Sequence, residues 1–162
     1  MTLALILALA LAGAPHAAQR RPMGTAPEET TTNVTISLQV GAAAYNFTGQ
    51  AKCDHLDKGS IYDVVAERWS VEQQEGPNNL TLSVWKPLAG GENLINLYVS
   101  SGGKSHQVST TGPTKEGSGT ILLAPRGKGG TFTIKATAKD GAAISGTVKC
   151  EAFVPAMAVA GN

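Results

Sequence analysis

Two short segments of this chain match position by position, and each contains a cysteine followed by an acidic residue. The first is FTGQAKCD at residues 47–54, and the second is ISGTVKCE at residues 144–151. Both close a stretch in which apolar and polar residues alternate, a period that places every second side chain on one face of a β-strand. Cys53 and Cys150 are the only cysteines in the sequence. The sequence therefore predicts two neighbouring strands of one all-β domain, joined by a Cys53–Cys150 disulfide in an oxidising compartment.

Alternation of this kind recurs between residues 33 and 154, interrupted at short intervals by Gly, Pro, Asn and Asp turn signals. The spacing predicts an antiparallel β-sandwich of seven to nine short strands, with a flattened β-barrel as the alternative. A first hairpin is predicted around a turn at residues 41–44, in which Val40 faces Tyr45 and Leu38 faces Phe47. Two stretches do not fit the alternation. Residues 54–62 predict a polar loop, and residues 63–74 predict a loop or helical turn that enters a strand near Glu67.

The hairpin predicted near the middle of the domain has a defined register, in which Lys86 pairs with Asn93. This register places six aliphatic side chains on one face: Leu80, Leu82, Val84, Ile95, Leu97 and Val99. Trp85, Asn96 and Tyr98 then share the opposite face. Aromatic side chains on an outer sheet face can form a platform for a sugar or a partner protein, so these three are the predicted ligand-binding residues. The alternative is that another part of the chain covers Trp85.

The N-terminus has the pattern of a secretory signal. Residues 3–12 form an unbroken apolar run, and small residues around Pro15 follow it. The run is too short for a helix that spans a bilayer, so we expect no membrane span in the mature chain. The predicted organisation is a signal peptide at 1–18, a flexible leader at 19–32, the β-sandwich domain at 33–154 and a loose C-terminal tail at 155–162. An exported protein, periplasmic or secreted, is the expected result.

Composition limits the partners and the kind of site. The 162 residues include 13 basic and 12 acidic side chains with a net charge of +1, and no basic stripe is visible, so nucleic acid is not an expected partner. Aromatic residues make up only 5% of the chain, so the core has to be aliphatic and a deep aromatic-lined active site is not expected. No cofactor motif is present, and the expected partner is an unidentified envelope or extracellular ligand.

One motif resembles a known group of proteins. The segment VGxxxYxFTGxAxC at residues 40–53, followed by a last strand that ends in Cys150, is similar to the layout of the small mycobacterial surface lipoprotein antigens. The resemblance implies a Gly- and Ala-rich β domain with an early hairpin that ends in cysteine. The lipobox cysteine of that group has no counterpart here, and no functional residue is implied.

Polar residues crowd together after the first matched segment, where Cys53, Asp54, His55 and Asp57 lie within five positions. Structural zinc sites need four ligands, and an oxidised Cys53 cannot serve as one, so we predict no metal site here. His55 and His106 are the only histidines beyond the predicted signal peptide, so a Ser-His-acid triad would have to use one of them. The sequence thus favours an exported non-catalytic binding or accessory module. The alternatives are an enzyme with a site near His55 and a purely structural domain.

Overall fold

The computed structural model describes residues 30–156, which form ten β-strands and no helix, and hence no helix that could cross a membrane. The strands are β1 (Thr32–Val40), β2 (Ala43–Ile61), β3 (Val64–Gln73), β4 (Asn79–Pro87), β5 (Leu94–Ser101), β6 (Lys104–Ser109), β7 (Ser118–Arg126), β8 (Gly129–Thr137), β9 (Ala143–Cys150) and β10 (Val154–Pro155). The all-β prediction is confirmed. The predicted signal peptide, most of the leader and the end of the tail lie outside the described residues.

Nine strands form one antiparallel sheet that curls until it nearly closes. Their order is β6-β5-β4-β3-β2-β1-β9-β8-β7, and β10 pairs in parallel with β2 at Asp54 and His55. The outer strands β6 and β7 come together at a short bridge, where Ser109 of β6 and Glu116, two residues before β7, exchange two backbone hydrogen bonds. This topology fits a flattened barrel, in which two opposed halves of the sheet enclose the core like the layers of a sandwich.

Strand β2 and the start of β3 are the parts that the sequence did not predict correctly. Strand β3 begins at Val64, where the prediction was a loop or helical turn that enters a strand only near Glu67. The first half of β2, residues 43–51, pairs with β1, and its second half, residues 52–61, pairs with β3. The predicted loop at 54–62 is therefore mostly strand, with a register shift between Leu56 and Gly59. The chain reverses at Tyr62 and Asp63, both of which have positive φ angles, as a two-residue hairpin turn requires. Backbone pairing overrides the polar composition of this stretch.

The two predicted hairpins fold with the expected faces. In β4–β5 the register is as predicted, since Trp85 pairs with Leu94 and the aliphatic face is fully buried. In β1–β2 the turn is tighter than expected, because Val40 pairs with Ala43 instead of Tyr45. Gly41 has a φ of 57°, which permits a two-residue turn. The shift is two residues, so every side chain keeps its predicted face.

The Cys53–Cys150 disulfide is confirmed, and both cysteines are fully buried within the hydrophobic core. Their Cα atoms are 6.4 Å apart. The expectation that their strands are neighbours is wrong, because β1 lies between β2 and β9 in the sheet. The bond therefore spans the interior and connects β9 to the half of β2 that pairs with β3.

The core contains one aromatic hydroxyl. Tyr45 is 1% exposed and donates a hydrogen bond to Oε1 of Gln73, and burial raises the pKa of Tyr45 to about 12 from its ordinary value of 10.0. Because the folded state favours the neutral phenol, its contribution to stability is complete below pH 10 and is lost as the pH rises from 10 to 12.

We therefore expect an absorbance titration of the folded protein at 295 nm to include a tyrosinate step near pH 12. That step should be absent in Tyr45→Phe. The variant should also lose about 1–3 kcal/mol of unfolding free energy, because the Gln73 amide oxygen loses its donor. A titration in which Tyr45→Phe removes a step near pH 10 would contradict the assignment.

Candidate functional site

Trp85, the first of the predicted ligand-binding residues, is half-buried on the outer face of β4. The guanidinium carbon of Arg68, on the neighbouring strand β3, lies 5.3 Å from the centre of the Trp85 ring. Gly59 also approaches the ring closely, since a Cβ atom at this position would lie 3.3 Å from Cζ3 of Trp85. Arg68 and the irregular end of β2 thus cover part of the ring.

Asn96 and Tyr98 lie further along the same face. The amide oxygen of Asn96 accepts hydrogen bonds from the hydroxyls of Ser109 and Thr111, at 2.7 and 2.8 Å, so it holds the chain that leaves β6. Tyr98 is 41% exposed and donates to Ser105 Oγ at 2.7 Å. Both residues line a shallow depression of about 180 Å³. Trp85 does not line it, because Trp85 is four residue pairs away from Tyr98 along the β4–β5 ladder.

Truncation of Trp85 separates a packing role from a platform role. We expect Trp85→Ala to lose about 2 kcal/mol of unfolding free energy, roughly half the loss for a fully buried tryptophan, because part of the ring is covered. Tyr98→Ala, on the same face but more exposed, should lose less than about 1 kcal/mol. Urea unfolding of both variants measures the difference. An undiminished stability of Trp85→Ala would favour a platform for an external ligand.

His55 lies in β2, on the same face as the buried Cys53. Its ring stacks on Trp69 of β3, with 4.9 Å between the ring centroids and 8° between the planes. Nε2 of His55 is 2.8 Å from Oε1 of Glu67, and Nδ1 is 3.5 Å from Oδ1 of Asp57. Stacking and the two carboxylates therefore fix the orientation of the imidazole.

Within residues 30–156, His55, Asp57 and Glu67 form a group that could hold a metal ion. One donor atom from each residue lies within 4.8 Å of the other two. However, the two carboxylates face different ring nitrogens. An ion bound at one nitrogen, at the distance of about 2.0–2.1 Å typical of zinc, would be next to only one carboxylate. The arrangement fits a hydrogen-bonded imidazole better than a metal centre.

A larger cavity, of about 570 Å³, lies at the end of the barrel where the β1–β2, β5–β6 and β8–β9 turns meet. We call it the end pocket. Its lining residues are Val40, Gly41, Ala42, Ala43, Ser101, Gly102, Lys104, His106, Asp140, Gly141 and Ala142. Most of these side chains are small, and the polar ones belong to the β5–β6 and β8–β9 segments. The three turns converge because the backbone of Gly41 binds that of Ala143 and the backbone of Lys139 binds that of Gln107.

A histidine–aspartate pair lies in the wall of the end pocket. His106 is 7% exposed, and its Nδ1 lies 2.8 Å from Oδ2 of Asp140, whose side chain is half exposed. The backbone amide of Ala142 donates to Oδ1 of Asp140 and lowers the pKa of this carboxyl, and His106 adds to the effect. Asp140 is therefore ionised at neutral pH, and it accepts the Nδ1 hydrogen of His106.

Ser101 is the unusual member of the end pocket. It is 3% exposed, and its Oγ has no hydrogen-bond partner within residues 30–156. It faces the same side of the sheet as His106, because Ser101 pairs with Lys104 and His106 pairs with Val99. The end pocket thus brings together a serine, a histidine and an aspartate.

No match was found among protein-family models, curated proteins or solved structures. Only the residues of the end pocket itself therefore indicate its chemistry.

The sequence did not identify this pocket. In the sequence, His106 is one of two histidines in the predicted domain, and Asp140 belongs to an Asp-Gly turn signal. They are 34 positions apart, and the β-strand order that joins them is non-local. One signal in the sequence could have indicated Ser101. The alternation of β5 places Ser101 on the same face as the buried Val99, where a polar residue is unusual.

Proposed function

We propose that the protein is exported and works as a non-catalytic binding module, which holds a small ligand in the end pocket. The observation that carries the proposal is the Ser101 hydroxyl, which is shielded from solvent and has no partner among the described residues, although Ser101 itself lines a cavity of about 570 Å³. A buried polar group without a hydrogen bond costs about 1–3 kcal/mol. A ligand that supplies the missing hydrogen bond would account for such a group.

The size and lining of the end pocket support binding. Small-molecule sites are concave, have volumes of about 300–1,000 Å³ and contain a few convergent polar groups. Here Ser101, Lys104, His106 and Asp140 are the polar groups, and the remaining wall is made of small residues. Their positions are set by paired strands and short turns, which hold a site more firmly than long loops would.

Binding is favoured over catalysis at this site. An activated serine nucleophile has to form a hydrogen bond of about 2.6–3.2 Å with its base. Ser101 Oγ forms no hydrogen bond to His106 within the described part of the chain. The alternative of an enzyme with a site near His55 rests on the close His55–Glu67 contact, in which a carboxylate orients the imidazole.

A thermal-shift screen of small envelope and extracellular compounds tests the proposal. A ligand of the end pocket should raise the melting temperature of the wild-type protein, because it binds only the folded state. Ser101→Ala should remove this response, whereas Tyr98→Ala, on the outer face, should retain it. Loss of the response in Tyr98→Ala alone would instead place the ligand at the predicted Trp85, Asn96 and Tyr98 surface. A response lost only in His55→Ala would favour the alternative site.

The export part of the proposal has a separate test. The buried disulfide supports an oxidising compartment. We expect the mature chain to begin close to Gln19, because the apolar run and the small residues that follow it have the order of a cleaved signal. N-terminal sequencing of the protein from the periplasm or the culture medium measures the start. A retained Met1 would contradict cleavage.

A further inference from the structure

We infer that the ligand of the end pocket is a neutral polyhydroxy compound, a sugar or a polyol, whose hydroxyl groups bind between His106 and Ser101. This inference rests on the proposed function and specifies its ligand. It follows from the charges of the pocket, the hydrogen-bonding state of His106 and the unsatisfied hydroxyl of Ser101.

The charges of the end pocket favour a neutral ligand. Lys104 and Asp140 both line it, so it carries one cation and one anion in addition to the titratable ring of His106. A carboxylate ligand would meet the Asp140 charge as well as Lys104, and an amine ligand would meet Lys104 as well as Asp140, so for either ligand repulsion offsets attraction. Like charges placed close together disfavour binding, which is how proteins reject wrong partners. A neutral ligand with several hydroxyl groups can donate to Asp140 and accept from Lys104.

The tautomer of His106 also favours a ligand that carries hydroxyl groups. A carboxylate can only accept, so the Asp140 contact at 2.8 Å places a hydrogen on Nδ1. Nε2 of the neutral ring is then an acceptor, and in the protonated ring it becomes a donor. A hydroxyl group can pair with Nε2 in both states, because it donates and accepts. A carboxylate can pair only with the protonated ring.

Ser101 supplies the second contact. It lies two residues from Val99, the partner of His106, and on the same face. Diagonal positions of this kind on paired strands are about 7–8 Å apart, so short side chains there leave room for a bridging group. The Ser101 hydroxyl is shielded in the rotamer of this structure, so the contact requires a rotation about its single χ1 bond that turns the oxygen toward the end pocket. The ligand hydroxyl would then complete a hydrogen bond that the described chain does not provide.

The experiment is an NMR titration of the ¹⁵N-labelled mature protein with D-glucose, D-mannose and myo-inositol. Sodium acetate and methylammonium chloride serve as charged probes at the same concentrations. We expect saturable shifts of the Gly102 and Gly141 amides and of the His106 ring with at least one polyhydroxy probe. Neither charged probe should produce them.

Variants separate binding from stability. Ser101→Ala should weaken the affinity for the polyhydroxy probe at least tenfold, yet it should not lower the melting temperature without ligand, because the hydroxyl has no partner to lose. Asp140→Asn should also weaken the affinity, because an amide no longer fixes the hydrogen on Nδ1. Tyr98→Phe, outside the pocket, should bind as the wild type does.

The outcomes distinguish the inference from the proposed function. Shifts of the pocket amides with acetate or methylammonium but not with polyhydroxy probes would overturn the ligand class and leave the pocket as a binding site. If none of the probes moves these amides, the ligand class is overturned, and the thermal-shift screen then decides on the proposed function. Unchanged affinity in Ser101→Ala would overturn the bridging role of that hydroxyl.

Discussion

Reduction of the Cys53–Cys150 disulfide is expected to lower the free energy of unfolding by about 4 kcal/mol, within the range of 2–5 kcal/mol found for small exported domains. The physical reason is the size of the loop. The two cysteines are 97 positions apart, so the bond restricts the conformations of most of the unfolded domain. It also joins strands that are not hydrogen-bonded to each other, since β1 separates them. Backbone pairing therefore cannot directly replace the connection between these two positions.

Urea unfolding of the oxidised and the reduced protein measures this effect. The slope of free energy against urea should increase after reduction, because the unfolded chain expands and exposes more surface. The double variant Cys53→Ala and Cys150→Ala is the matched control, and its stability should not respond to reductant. Equal midpoints for oxidised and reduced protein would contradict the expected contribution. Free thiols in the unreduced protein isolated from its native source would contradict formation of the bond in the cell.

The faces of the strands could be predicted from sequence because parity depends only on local alternation. Leu80, Leu82 and Val84 predict one buried face, and a shift of one residue would expose all of them. The predicted faces are correct even where the predicted turn is too long. The partner of Val40 is Ala43 instead of Tyr45, and a change of two residues keeps every side chain on its face. Burial is thus encoded in the pattern itself.

The length of β2 and the strand order could not be predicted in this way. Residues 54–58 are mostly polar, and they form strand because β3 pairs with one side and β10 with the other. These partners come from distant parts of the chain, and a single sequence does not specify which backbone will pair. The turn at Tyr62 and Asp63 also lacked the usual glycine signal.

The same limit applies to the sites. The sequence placed Trp85, Asn96 and Tyr98 on one face, but it could not show that Arg68 lies over Trp85 or that Thr111 binds Asn96. The end pocket depends on three turns that meet only in the folded barrel. Ser101 and His106 belong to one hairpin, but Asp140 joins them only in the folded barrel, so the cluster of three has no local signature.

Phe132→Ala is expected to cost about 3–5 kcal/mol, the range for truncation of a fully buried aromatic side chain. Phe132 is 0% exposed and packs edge-to-face against Phe153, with 5.9 Å between the ring centroids and 85° between the planes. Phe153 precedes β10, and the backbone of Ala156 donates to His55. Loss of the Phe132 ring should therefore also loosen the segment that pairs with β2.

Two measurements test this coupling, and Phe47→Ala is the matched control because Phe47 is only partly buried against the same core. Urea unfolding should show a clearly smaller loss for Phe47→Ala than for Phe132→Ala. Hydrogen exchange of the Phe153 and Ala156 amides should accelerate in Phe132→Ala beyond the change that its global stability explains. Exchange that follows global stability equally in both variants would show that β10 is held by its backbone hydrogen bonds alone. In that case the aromatic pair would contribute to the core without fixing the C-terminal segment.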